Sequence, residues 1–141
     1  VFGADPALEN QPEYINKALQ MGFDVELDAW FIPVTGKWWL GHDEPQYEIQ
    51  YEYLLTEGMW VHCKNGAALR VLSQDKRAHC FSHDKDDYTI TSRGIIWAYP
   101  DQPMLGPQSI AVMYSQPDSL LDQKIGGICH DNVAELYKLA V

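Results

Sequence analysis

Residues 23–28, Phe-Asp-Val-Glu-Leu-Asp, alternate strictly between apolar and acidic side chains. A period of two places Phe23, Val25 and Leu27 on one face of a strand and Asp24, Glu26 and Asp28 on the other. Like charges at that spacing repel, and burial disfavours their ionisation further. The acidic face therefore has two outcomes: it is solvated, as on an edge strand, or it holds a cation. The packed opposite face and Trp30 directly after it argue for a central strand.

Around this strand the pattern alternates helix and strand. A helix is expected over 10–22, with Asn10 as cap, Pro12 in the first turn and Gly22 at the stop. Residues 30–40 read as a hairpin closed at Thr35-Gly36-Lys37, and 46–56 as a short helix. Met59–Cys63 reads as a buried strand and 66–74 as a helix capped by Asn65. Further strands are expected at 78–82, 88–91, 94–99, 109–114 and 125–129, with a last helix at 132–140. There is no repeat, linker or low-complexity segment, so residues 1–141 are expected to form a single domain. Helix–strand alternation predicts parallel strands with crossover helices. A complete (β/α)₈ barrel takes about 250 residues, and this chain has 141. The expected fold class is α/β, a trimmed or irregular TIM-type (β/α) barrel with mostly parallel strands.

Charge narrows the partners. Ten Lys plus Arg against twenty Asp plus Glu give a net charge of −10, which argues against nucleic acid, whose phosphates need local cations. No run approaches the eighteen apolar residues of a membrane span. Cys63, Cys80 and Cys129 are far apart in apolar surroundings, as buried free thiols of a reducing, cytoplasmic compartment would be. The chain begins at Val1 with no signal peptide in view, and the true start is expected upstream.

In a parallel barrel, residues at strand C-termini line the active site. Glu26 and Asp28 would sit there, and hard oxygen ligands suit Mg²⁺ or Ca²⁺. His62 and Lys64 face one way at the end of an apolar strand: Lys64 either snorkels or binds phosphate, and His62 is a ligand or a proton carrier. His42-Asp43 is a surface loop pair or part of the site. His83 is placed like the other strand-end polar groups, whereas Asp86 and Asp87 read as solvated turn. His79 reads as a core histidine, Asp131 as a helix cap, and Trp97 and Tyr99 as core or rim aromatics.

Glu9-Asn10, Gly22-Phe23-Asp24-Val25-Glu26-Leu27-Asp28 and Gly41-His42-Asp43 together resemble the glycerophosphodiester phosphodiesterase family. That family's N-terminal half reads His-Arg-Gly, then Glu-Asn, Glu-x-Asp and His-Asp. The resemblance implies a compact, divergent member of a (β/α)₈ barrel family, lacking the first strand. It implies phosphodiester hydrolysis with a divalent metal, Mg²⁺ or Ca²⁺. Glu26 and Asp28 would be metal ligands, His42 one of two acid–base histidines, and Lys64 a phosphate contact. Two features depart from the family. The His-Arg-Gly segment would fall just before Val1. His62 stands where the family has its third carboxylate, in a strand that carries Glu-x-Lys. As a metal ligand, His62 would shift preference toward a transition metal; as a catalytic residue, it would replace the missing histidine. His83 and Trp97 are candidates for substrate contact in the second half, which has no residue-by-residue match.

The expected function is thus a metal-dependent hydrolase of a small phosphodiester with histidine acid–base catalysis. The alternatives are a non-catalytic metal- or phosphate-binding protein on a decayed phosphodiesterase scaffold, and an acidic interaction module whose 24–28 face is solvated. Oligomeric state is not encoded in any feature of the sequence.

Overall fold

The alternating segment builds an inner strand. In the computed structural model, which describes residues 1–140, β1 (Val25–Ile32) runs between β2 (Lys37–Leu40), antiparallel to it, and β4 (Met59–Cys63), parallel to it. The outer positions are taken by β3 (Tyr47–Ile49) and β5 (Cys80–Phe81), giving the order β3-β2-β1-β4-β5. Leu27 and Ala29 point to the core face and are essentially fully buried. They join Leu40, Met59, Val61, Cys63 and Cys80 from the neighbouring strands. Helix α1 (Pro12–Gln20) adds Ile15, and helix α2 (Gly66–Leu72) adds Ala68 and Leu72. Burying one such Leu contributes about 1.5–3 kcal/mol. Asn65 caps α2 as expected: its Oδ1 accepts from the Ala68 N–H at 2.9 Å. Its Nδ2 also donates to the Phe31 carbonyl at 2.9 Å, tying the helix start to the end of β1.

These elements form one of two compact units, Pro6–His83. The other comprises Val1–Asp5 and the chain from Asp84 onward. It holds β6 (Tyr88–Ile90), β7 (Ile96–Ala98), β8 (Ser109–Val112) and β9 (Gly127–Cys129), in that spatial order. β6 and β7 form an antiparallel hairpin, while β7–β8 and β8–β9 are parallel. Helix α3 (Val133–Ala140) follows. Its first residue lies two positions beyond Asp131, and the Leu136 N–H turns back to the Asn132 carbonyl.

The barrel expectation is wrong. Two separate mixed sheets, of five and four strands, take the place of a closed parallel ring. A barrel needs each strand flanked by neighbours around a ring, with helices outside. Here β1 returns at once through the 33–36 turn into β2, and an antiparallel meander fills the side on which a parallel strand would have to close. The helix expected at 46–56 is also replaced. Residues 47–49 pair with β2, with Tyr47 opposite Leu40 and Ile49 opposite Trp38, and only Tyr51–Leu55 coils, as a 3₁₀ turn. An ion pair of 3.1 Å between Lys37 and Glu48 spans the same two strands. The first helix starts two residues later than expected, so Asn10 is not its cap. Among the described residues no helix is long and apolar enough to cross a membrane. Cys63 and Cys80 are buried free thiols and Cys129 is a half-buried one.

Candidate metal centre

The face of β1 opposite the core carries Glu26 and Asp28. Parallel pairing sets Asp28 beside His62 of β4, and His62 beside Phe81 of β5. Chemistry is thus assembled by register: two alternating strands, each apolar on one side, bring their polar residues together on the other. His62 Nδ1 lies 3.0 Å from Asp28 Oδ1 and 3.8 Å from Glu26 Oε1. The side chains are 13 %, 7 % and 30 % exposed for His62, Asp28 and Glu26 respectively, so the group is largely removed from water. The solvated-face alternative fails at Asp28. Asp24 leaves the group, because it precedes β1 and accepts from Trp60 Nε1 at 2.9 Å.

The tautomer of His62 follows from its other nitrogen. Nε2 lies 3.2 Å from the backbone carbonyl oxygen of His83. A carbonyl oxygen only accepts, so Nε2 carries a hydrogen and donates it. The ring is further held by parallel stacking on Phe81, with centroids 5.2 Å apart and planes 6° apart. With Nε2 protonated, a neutral ring turns the Nδ1 lone pair toward two carboxylates. Lone pairs facing lone pairs repel, so a positive charge belongs between them: a second ring proton or a metal ion.

These three donors are a group that could hold a metal ion. One ligand atom from each of Glu26, Asp28 and His62 lies within 4.8 Å of the others. Metal–ligand bonds of about 2.1 Å place adjacent donors about 3.0–3.4 Å apart; the His62–Asp28 separation of 3.0 Å matches this and the His62–Glu26 separation of 3.8 Å exceeds it. A ligating histidine characteristically donates its remote N–H to a carbonyl or carboxylate, as His62 does. The nearby thiol of Cys63 is no competitor. It lies on the core face of β4, opposite His62, and its hydrogen bond to Cys80, then burial, pushes its pKa up.

Asn10 was not assigned a role in the site by its sequence, and the structure gives it one. It sits in the left-handed region at φ 61, which Asn tolerates better than most residues. Its Oδ1 accepts from the Asp28 backbone N–H at 2.8 Å, and its Nδ2 donates to Asp28 Oδ2 at 3.0 Å. The signal available was Glu9-Asn10 ahead of a helix, which also describes a cap.

The remaining candidates divide. The Lys64 backbone N–H extends the β1–β4 ladder by donating to the Ala29 carbonyl at 2.9 Å. Lys64 is the first residue after β4. Gly41 is bound on both sides: its N–H donates to the Asp28 carbonyl at 3.1 Å, and its carbonyl accepts from Trp30 Nε1 at 2.7 Å. A Cβ at position 41 would overlap the Glu44 carbonyl oxygen and lie 3.1 Å from the Gln46 nitrogen, so only glycine fits. The His42 loop is therefore rooted beside Asp28. His42 itself is 55 % exposed, its Nδ1 paired at 2.9 Å with Asp43 Oδ1. His83 reaches the site through its carbonyl, and its ring centroid lies 6.0 Å from that of His62. His79 is buried as expected, 4.1 Å from the Trp60 ring. Trp97 lies in the second unit, on β7, and is 4 % exposed.

No protein-family model, no curated protein and no solved structure matches this chain.

Proposed function

We propose that Glu26, Asp28 and His62 hold a divalent cation and that the chain hydrolyses small phosphodiesters with it. The observation that carries this reading is the His62 Nδ1 atom aimed at two carboxylates while Nε2 is committed to a carbonyl. The motifs shared with glycerophosphodiester phosphodiesterases support the substrate class, and they do so without a barrel. One nitrogen beside two carboxylate oxygens favours a transition metal such as Mn²⁺ more than an all-oxygen set does, with Mg²⁺ and Ca²⁺ next. The bound ion supplies charge neutralisation at the phosphate oxygens.

The chain's own residues do the rest. Lys64 adds a second positive charge for the phosphate. Both nitrogens of His62 are engaged, which makes it a ligand rather than a proton carrier. His42 is the proton carrier: Asp43 accepts from its Nδ1, which leaves Nε2 as the basic nitrogen for a nucleophile or leaving group. His83 is offered as a substrate contact on its sequence position alone. The net charge of −10 fits a small substrate and disfavours nucleic acid, and three free thiols fit the cytoplasm.

The exposure of His42 and Asp43 supports a second reading, a metal- or phosphate-binding protein without turnover. An assay of bis(p-nitrophenyl) phosphate hydrolysis in Mn²⁺, Mg²⁺ and Ca²⁺ separates the two. The enzyme reading expects metal-dependent turnover that drops about 10²–10⁴-fold in His42→Ala. No turnover with any ion, despite metal binding, leaves the binding protein.

A further inference from the structure

We infer that Asn10 is a positioning residue that sets which ion the site accepts, by holding Asp28 to a single free carboxylate oxygen. This rests on the metal reading above. Asn10 and Asp28 close a ring of two hydrogen bonds, from the Asp28 N–H to Oδ1 of Asn10 and from Nδ2 of Asn10 to Oδ2 of Asp28. The amide orientation is fixed, because a backbone N–H needs an acceptor and a carboxylate needs a donor. Both residues are buried, 7 % exposed for Asn10 and 5 % for Asp28, so water does not compete for these bonds. Oδ2 is thereby occupied, and Oδ1 is the oxygen presented to His62.

An oxygen that accepts a hydrogen bond is oriented by its donor and is the poorer ligand, so the clamp favours ligation through the other oxygen. Ca²⁺ gathers six to eight oxygens and readily takes both from one carboxylate, whereas smaller ions accept one oxygen in a tighter shell. The clamp therefore works against Ca²⁺ and in favour of Mn²⁺. Its residue type is also apt in the backbone. At φ 61 an Ala would be strained, but Gly removes the side chain without that penalty. Asn10→Gly is thus the clean probe.

The test is calorimetric titration of the full chain with Mn²⁺ and with Ca²⁺, for the unaltered protein and Asn10→Gly, with Asn10→Ser as a second variant. Affinity for Mn²⁺ should fall about 10–100-fold, the usual cost of losing a group that orients a ligand. Ca²⁺ affinity should fall less, so that the Mn²⁺ preference drops by about tenfold. A general loosening of the strand would weaken both ions by one factor and leave the preference unchanged, and that result overturns the inference. So does an unaltered chain that prefers Ca²⁺, or a failure of both variants to fold, which would make the clamp purely structural. If the unaltered chain binds neither ion, the metal reading itself falls, and the inference falls with it. Metal binding with an unchanged preference leaves that reading standing and removes only Asn10.

Discussion

Strands β1 and β8 are both inner strands of mixed sheets, yet they serve different ends. β8 reads Ser-Ile-Ala-Val and is buried at every position. Even its hydroxyl is used internally, with Ser109 Oγ donating to the Gly106 carbonyl. β1 is buried on one side, at Leu27 and Ala29, and gives its other side to Glu26 and Asp28. The difference teaches where chemistry can be placed. A strand packed on both faces has only shape to contribute. A strand that alternates can spend one face on the core and let its neighbour's register converge polar groups on the other.

The comparison breaks most sharply if charge is moved to the wrong strand. Ala111→Asp places a carboxylate at a site with no exposure and should cost about 3–5 kcal/mol or more in urea denaturation, the scale of an uncompensated buried charge. If that variant were as stable as the unaltered chain, β8 would not be the sealed strand described. On β1 the effects are smaller and of a different kind. Asp28→Ala takes the partners from Asn10 Nδ2 and His62 Nδ1 and should cost about 1–3 kcal/mol without metal. Glu26→Ala, half-exposed and farther from His62, should stay within about 1 kcal/mol. Both should lose metal-dependent hydrolysis, so activity and stability separate on this strand and coincide on β8.

The smallest effect lies in the alkaline limb of stability. Burial, then the hydrogen bond to Asp75, pushes the Tyr51 hydroxyl up to about 12, and burial, then Glu13, does the same for Tyr53. A raised folded-state pKa lends stability that is intact below the unfolded value of about 10 and is lost as pH climbs toward 12. Tyr51→Phe should flatten part of that fall in denaturation curves taken between pH 9 and 12. An unchanged slope would detach Tyr51 from it. At the acid end, the bonds from Arg77 and then Tyr51 hold Asp75 well below the carboxylate range. Its contribution is therefore present above about pH 4 and fades as pH drops further.

Much of the larger unit was legible because its signals are periodic. The alternation at 23–28 gave the faces of β1. The apolar run 59–63 gave β4, and the Asn65 cap gave the start of α2. His62 could be suspected as a partner of Glu26 and Asp28 through the family resemblance, in which its strand carries the third carboxylate. The antiparallel return of β1 into β2 was legible as the hairpin at 30–40, and the parallel β1–β4 pair as helix–strand alternation, but the further antiparallel strand β3 was not. Tyr47-Glu48-Ile49 is too short to separate a strand from a helical turn by period. Asn10 was hidden for another reason: its bonds span eighteen residues, and a local cap signal of the same composition lies over it.

The central claim is that three side chains form a divalent cation site, and thermal denaturation tests it most directly. The unaltered chain and Asp28→Ala are melted in Mn²⁺, Mg²⁺, Ca²⁺ and no metal. An ion that binds only the folded chain adds about 2.7 kcal/mol at a hundred times its dissociation constant. The account predicts a saturating rise in Tm for the unaltered chain, largest with Mn²⁺, and none for Asp28→Ala. A chain whose Tm no ion moves, or one whose rise survives the loss of Asp28, would contradict it.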